Sequence, residues 1–478
     1  MSTERYGLLT QVKEFSQAFW MLNLMEMMER LAYYGVRVVI PIYIAQADEI
    51  GGLHFTQIEK GTIFMWWAIV QSLTPMLSGG FADRYGYKKT IVFSITIKII
   101  GYLLLATQRS FYPFLFGAMT LAFGTATFKP AIQGSLVQTL TEKNSSVGWG
   151  AFYMLVNIGG FLGPPLAHFL YGISWPAVFY GCAVVVSLNY FMLLTYKEIP
   201  AGGDQSGNPL TILTMTLKNI IQPRLGVFIL IMSGFWLMFM QLFDMLPNFI
   251  VDWVDSSMIV SALNLPSFMT TETTRGVMMT QEWMININSG LIVLFVLLVS
   301  WLVSRMRRVS SIFFGIVISS FGLVLAGFTM IGWMVLLGIA FFSVGEMMAS
   351  PKMNEYLGVI APAGQKGLYM GYANIPLAVG WGYGSLMGGQ VYDKMGDKAN
   401  LALRYMAENL SITEEMSRPQ AFDRLLSELN INAIEATQLL WQTYHPYKLW
   451  YQFALVGLAS AIGIFFYSRW VKKYEGNI

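Results

Sequence analysis

Residues 26–37 read Glu26-Met27-Met28-Glu29-Arg30-Leu31-Ala32-Tyr33-Tyr34-Gly35-Val36-Arg37 and lie inside an apolar stretch that runs from about 17 to 46. Ionisable side chains at that depth are costly in hydrocarbon unless they are paired or hydrated. At helical spacing Glu26, Arg30, Tyr33 and Arg37 share one face, with Glu29 beside it, so the helix is expected to turn a polar stripe toward a watery cavity. Two acids flanking one arginine make a proton-exchange site by simple electrostatics. The same residues also suit a satisfied ion-pair network that only fixes helix packing.

The surrounding chain says what kind of molecule carries this helix. Of 478 residues, 55% are hydrophobic and 12% are Asp, Glu, Lys or Arg, about half the charge of a soluble domain. The apolar residues fall in long runs, so they must face lipid as well as a core, and the chain reads as a polytopic membrane protein. A net charge of +3, spread thinly, makes no basic stripe and excludes a nucleic-acid binder. One cysteine, Cys182, and three histidines exclude a disulfide scaffold and a Cys/His metal site. No His pair, Ser/His arrangement or metal-ligand spacing lies within a span, so an enzyme is not expected.

Apolar segments recur near 17–46, 58–82, 88–108, 111–137, 147–173 and 175–196, then near 225–251, 283–304, 309–330, 332–360, 367–391 and 448–471. Each is long enough to cross about 30 Å of hydrocarbon. The expectation is an all-α membrane protein of twelve transmembrane helices in two six-helix bundles, 1–197 and 224–478, joined by a linker at 198–223. Basic residues gather in alternate short loops, among them Lys88, Lys89, Arg307, Arg308 and Lys472. The positive-inside rule then places both termini in the cytoplasm, and a bacterial inner (plasma) membrane is the expected location. An outward insertion at about 392–447 reads as a solvated cap of small helices, with a capping-box pattern at Ser411-Ile412-Thr413-Glu414.

Family resemblance enters at the loop between the second and third segments. Gly79-Gly80-Phe81-Ala82-Asp83-Arg84-Tyr85-Gly86-Tyr87-Lys88-Lys89 resembles the cytoplasmic loop motif of the major facilitator superfamily, in which Gly80, Asp83, Arg84 and Gly86 would act as a gating latch. Two bundles related by an axis along the membrane normal are what that resemblance implies. The opening stretch, Glu-x-x-Glu-Arg-x-x-Tyr-Tyr-Gly, is similar to the signature of the proton-dependent oligopeptide transporter (POT) family, with Leu31 in place of its usual Phe. Phe128-Lys129-Pro130, Phe152-Tyr153 with Asn157 and Gly159, Phe235-Trp236 with Gln241, Trp283 to Asn288, and Gly345-Glu346 with Ser350-Pro351 resemble further motifs of that family, in the same order.

Lys129 and Glu346 stand out even without the family, since each sits mid-span beside a proline that is expected to break its helix, one in each half. A zwitterionic peptide needs cations on one wall of its site and acceptors on the other. Arg37 and Lys129 would take the carboxylate, and Glu346, Asn157 and Asn288 the amine. Tyr33, Tyr34, Trp236 and Ser350 would help line the side-chain pockets, and Glu26, Glu29 and Arg30 would couple proton entry to rocking of the two halves. The expected partners are therefore a small peptide or peptide-like solute, protons as the coupling ion with no other cofactor, and the lipid bilayer around a functional monomer.

Beyond Leu31, and beside the extra charges Lys352 and Glu355, the chain departs from the family pattern at three further places. Met240 stands where an acid usually precedes Gln241, leaving Asp244 one turn on as the nearest carboxylate; Gln71 stands where Tyr is common; and Tyr372 replaces a common Trp. Alternatives therefore stay open: the same fold moving another amino- or carboxyl-bearing solute, such as a muropeptide or amino-acid conjugate, an exporter, or a receptor that transports nothing.

Overall fold

The computed structural model describes residues 12–141, 144–198, 214, 218–219, 221–303, 305–361, 369, 371–414 and 416–475, without the side chains of 77, 79–81, 83–84, 145–146 and 473–475. Twelve apolar segments appear as helices. The first half holds α1 (Gln17–Arg37) with a short continuation α2 (Ile40–Ala45), α3 (Gln57–Tyr85), α4 (Tyr87–Thr107), α5 (Phe111–Gln138), α6 (Ser145–Tyr171) and α7 (Trp175–Thr195). The second holds α8 (Pro223–Phe239), α9 (Gln241–Asp244) and α10 (Leu246–Trp253), then α11 (Ser257–Leu263), a hairpin of β1 (Thr270–Thr273) and β2 (Gly276–Met279), α12 (Gln281–Val303), α13 (Arg308–Gly327), α14 (Gly332–Ile360) and α15 (Asn374–Met395). Three outer helices follow, α16 (Lys398–Asn409), α17 (Arg418–Leu429) and α18 (Ala433–Tyr444), before the last span, α19 (Leu449–Glu475).

Local sequence explains the boundaries. Ser174 accepts a hydrogen bond from the Ala177 amide and Pro176 follows, which starts α7. Only Gly86 separates α3 from α4, at a φ of 95° that a side chain would strain, so the loop motif's last glycine makes the turn between the two helices. The motif's other members, Gly80, Asp83 and Arg84, lie on α3, and their side chains are outside the described ones.

Three sequence expectations need correction. Pro130 and Pro351 do not break their helices, because α5 and α14 run through them. At Pro130 the carbonyl left without a helical donor, that of Ala126, accepts from Ser78 Oγ at 3.4 Å. The seventh span, read as one segment, is instead split into α8, α9 and α10. Finally, Ser411 starts no helix: it takes a left-handed φ of 57°, and the capping box forms at Asn432 and Glu435, ahead of α18.

The chain divides into two compact units, 1–36 with 70–215, and 37–69 with 216–478. These differ from the two bundles drawn at 197 and 224, because the stretch from Arg37 to Ile69 groups with the second unit. In the first unit α6 lies tightly on α1: a Cβ on Gly159 would come within 2.3 Å of the Met27 carbonyl oxygen and 3.0 Å of Arg30 Cβ. That approach, available only to a glycine, fixes the height and rotation of the charged turn of α1. In the second unit the β1–β2 hairpin, in register Thr270 to Met279, and α11 fill the connection ahead of α12.

Candidate functional site

Each unit holds its own buried polar cluster. In the first, Glu26 and Glu29 are 3% and 1% exposed. Arg30 reaches Glu29 Oε2 at 2.5 Å and Glu26 Oε1 at 3.3 Å. A second cation, Lys98 of α4, closes the cluster with Nζ 2.7 Å from Glu29 Oε1. Two acids therefore face two cations and are closed off from solvent, so the expectations of two acids on a single arginine and of these acids turned toward water are both corrected. Lys98 is missed by the sequence reading because a single mid-span lysine with apolar neighbours leaves a hydropathy window intact. The signal that finds it is the charge-burial cost already applied to α1, extended to every span.

Lys129, one helical turn along from Thr125 on α5, behaves differently from its neighbours: its side chain is exposed and forms no ion pair among the described residues, while interacting electrostatically with Arg30, Glu26 and Glu29. Tyr33 accepts a hydrogen bond from Gln71 Nε2 at 3.0 Å and meets Tyr34 edge to face, so the departure at Gln71 supplies a donor for Tyr33. Asn157 donates to the Tyr153 carbonyl of its own helix at 2.7 Å, with its amide partly exposed.

Arg37 does not continue the polar stripe. Its guanidinium, 2% exposed, is ion-paired with Asp244 Oδ1 and lies over the rings of Phe64 and Trp381 at 4.7 and 5.3 Å. Pro247 explains the geometry. Lacking an N–H, it leaves the Phe243 carbonyl free on the split seventh span, and Arg37 Nη1 donates to that oxygen at 3.3 Å. The other carboxylate oxygen of Asp244 accepts from Ser385 Oγ at 2.6 Å and Trp381 Nε1 at 3.2 Å. Asp244 thus takes the place of the acid missing at Met240, and the watery setting expected for Arg37 is replaced by a sealed pair.

Further out in the same unit, buried polar groups form a chain. Lys60 Nζ donates to Asn248 Oδ1 at 2.7 Å, Asn248 donates to Gln46 Oε1 at 3.1 Å, and Gln46 donates to Asp252 Oδ1 at 2.8 Å. Tyr392 donates to the other Asp252 oxygen at 2.7 Å. Asp397 at the start of α16 accepts from Gln57 Nε2 at 3.0 Å and pairs with Arg418 of α17, whose guanidinium also donates to the Phe55 carbonyl at 2.7 Å. The outer segment is therefore tied to residues 45–60 by buried contacts and is not a free cap.

Glu346 sits on α14, partly buried, with no cation beside it among the described residues. Asn288 of α12 donates to its Oε2 at 3.0 Å and to Ser343 Oγ at 2.9 Å. Trp236 meets Phe235 at a tilt and Phe239 edge to face, and its Nε1 is buried without an acceptor among the described residues. Ser350 lies one turn beyond Glu346 on the same helix, half-buried. No group of His, Cys, Asp and Glu able to hold a metal occurs among the described residues.

The family model of the Major Facilitator Superfamily matches residues 22–385, well over half of the chain. The chain belongs to the major facilitator superfamily. As a superfamily member it is a multi-pass membrane protein, and its spans follow that fold. A crystal structure of a POT family transporter in complex with 5-aminolevulinic acid superposes with a TM-score of 0.68 over 96% of this chain and 99% of that one, at 15% identity, a likeness of fold. Dipeptide and tripeptide permease A of Serratia proteamaculans is 28% identical over 47% of this chain and 44% of its own length, so the chain matches under half of that relative. Multidrug resistance protein MdtH of Yersinia enterocolitica is 23% identical over 81% of this chain and 89% of its own length.

Proposed function

We propose that this superfamily member is a proton-coupled symporter of the POT branch that imports di- and tripeptides or peptide-like solutes by alternating access. The observation that carries the reading is Glu346, a carboxylate inside a span that has an amide donor and, among the described residues, no cation. A partly buried acid in that state is stabilised either by a proton or by an incoming ammonium, which suits it to receive an amine. Lys129, exposed and without an ion pair among the described residues, offers the complementary cation for a carboxylate, so the chain holds candidate receptors for both ends of a zwitterion. Similarity to the peptide permease supports the same substrate class.

In this reading Glu346, Asn288 and Asn157 hold the amine and Lys129 the carboxylate. Tyr33, Tyr34, Trp236 and Ser350 shape the side-chain pockets, and Glu26, Glu29 and Arg30 carry the coupling. Arg37 joins the carboxylate only in a state where Asp244 has let it go. Gly80, Asp83, Arg84 and Gly86 form the cytoplasmic latch, the bundles are 1–197 and 224–478, and the monomer works in an inner membrane with both termini in the cytoplasm.

The amine receptor is tested by Glu346→Gln. Its KM for a free dipeptide should rise by at least about tenfold, while for an N-acetylated dipeptide, already poor with the natural residue, it should barely move. An equal effect on both would remove Glu346 from amine recognition. A second reading, export or exchange of another amino- or carboxyl-bearing solute on the same fold, is favoured by the near full-length similarity to the multidrug resistance protein. It predicts solute efflux against proton entry in place of uptake.

A further inference from the structure

Lys98 is a buried charge that the roles above leave unused. It lies in Ile95-Thr96-Ile97-Lys98-Ile99-Ile100 on α4 and is 0% exposed. The site around it is built. Its stem crosses α5 at Gly124, where even a Cβ would come within 2.8 Å of Lys98 Cγ and 3.0 Å of its backbone nitrogen. Its ammonium lies 3.8 Å from the centre of the Phe128 ring and 2.7 Å from Glu29 Oε1.

The two acids of α1 are then unequal. Both oxygens of Glu29 are held by cations, Oε1 by Lys98 and Oε2 by Arg30. Glu26 has one longer contact, Oε1 to Arg30 Nε at 3.3 Å, and its Oε2 is buried with no hydrogen-bond partner among the described residues. A proton landing on Glu29 must displace a charge-assisted bond, whereas one landing on Glu26 Oε2 displaces nothing. Other titratable or charged groups facing this cluster are Lys129 on α5, Tyr102 on α4, Cys182 on α7, and Tyr33 and Tyr34 on α1. Among these Lys129 alone is a further cation, and it forms no ion pair with either acid.

We infer that Lys98 is the resident counter-ion that holds Glu29 charged, so that the transported proton is taken up and released by Glu26, with Arg30 as the shared partner. With both acids ionised the four groups sum to zero. Protonation of Glu26 leaves one net positive charge and weakens the hold on Arg30. Without Lys98 the two acids would compete for one guanidinium, and a proton would distribute over the pair. Lys98 is thus a positioning residue for proton coupling, and this assignment rests on the proton-coupled reading given above.

The test combines one measurement that needs no transport with one that does. Infrared difference spectra of the purified full-length protein, between mildly acidic and neutral buffer, report the C=O stretch of protonated carboxyls. The natural chain should show a titrating band that disappears in Glu26→Gln. The double variant Glu26→Gln with Lys98→Met should regain a band, and adding Glu29→Gln should remove it again. No regained band, or a natural band that disappears in Glu29→Gln in place of Glu26→Gln, overturns the inference.

In proteoliposomes, Lys98→Met should lose proton-driven dipeptide accumulation, which for one proton at 100 mV and one pH unit has a limit of about 500-fold, while keeping solute exchange. Lys98→Arg should retain accumulation, and Lys98→Met with Glu29→Gln should recover it. Accumulation by Lys98→Met equal to that of the natural chain contradicts the assignment. If Lys98→Met alone does not fold, the neutral pair Lys98→Met with Glu29→Gln leaves no buried unpaired charge and must still show the Glu26 band; its absence contradicts the assignment. Failure of the natural chain to move any dipeptide would sink the peptide reading, while the infrared series would still decide the role of Lys98.

Discussion

A guanidinium enclosed by Phe64, Trp381 and one carboxylate has nowhere to send its charge if that carboxylate is removed. Arg37→Met or Asp244→Asn alone should therefore destabilise the folded protein by about 3–5 kcal/mol, and the double variant by clearly less, because it leaves no unpaired buried ion. Thermal unfolding of the purified variants reads the difference, and a double variant as unstable as the worse single would show that the pair contributes packing alone. Lys398, outside the membrane at the start of α16, is buried against the Phe422 ring, and burial pulls its ammonium down from 10.5 to about 8. Between those values the unfolded chain binds the proton and the folded chain does not, so stability rises with pH across that window. Lys398→Met should accordingly melt higher than the natural chain below about pH 8, with the advantage shrinking as pH climbs toward 10; a pH-independent difference would contradict this. Charges of this kind are partly legible in sequence. Glu26, Glu29 and Arg30 stand out because they cluster, whereas Lys98 is hidden by its apolar neighbours, and the partner of Arg37 lies 207 residues away across a helix break.

At the scale of elements, hydropathy and caps locate the spans because each must satisfy its backbone within itself in lipid. The twelve segments read from the sequence accordingly reappear within a few residues at most described ends, the clearest departure being the split of the seventh span, while the start expected at 367 lies outside the described residues. What local reading cannot supply is the rescue of a freed carbonyl by a distant side chain. Ser78 meets the Ala126 oxygen and keeps α5 continuous through Pro130, while Arg37 meets the Phe243 oxygen where the seventh span is split. The outer helices were legible as helices, but their attachment was not, since Asp397 and Arg418 look like ordinary surface charges until Gln57 and the carbonyls of residues 45 and 55 are placed beside them. Arg418→Ala should loosen that attachment. Amide hydrogen exchange at residues 57–60 should accelerate by at least about tenfold while exchange in α13, far from the clamp in sequence, stays unchanged. Unaltered exchange at residues 57–60 would mean that the outer segment is held by its apolar contacts, such as Trp253 and Phe249 against Trp441.

For the whole molecule, the decisive signals were few. A mean hydropathy of +0.53 and twelve apolar runs identify the class, and the ordered motifs from Glu26 to Pro351 narrow it to one superfamily. The solute is less legible, because it depends on which charges remain uncompensated after folding. Glu346 and Lys129 remain so among the described residues, whereas Arg37 does not. The most direct test of proton-driven peptide import is uptake of a labelled dipeptide into liposomes holding the purified protein, under an imposed inward proton gradient. Proton-driven import predicts concentrative entry that collapses with a protonophore and is competed by unlabelled di- and tripeptides. Entry no faster than in empty liposomes, or efflux of solute as protons enter, would contradict it.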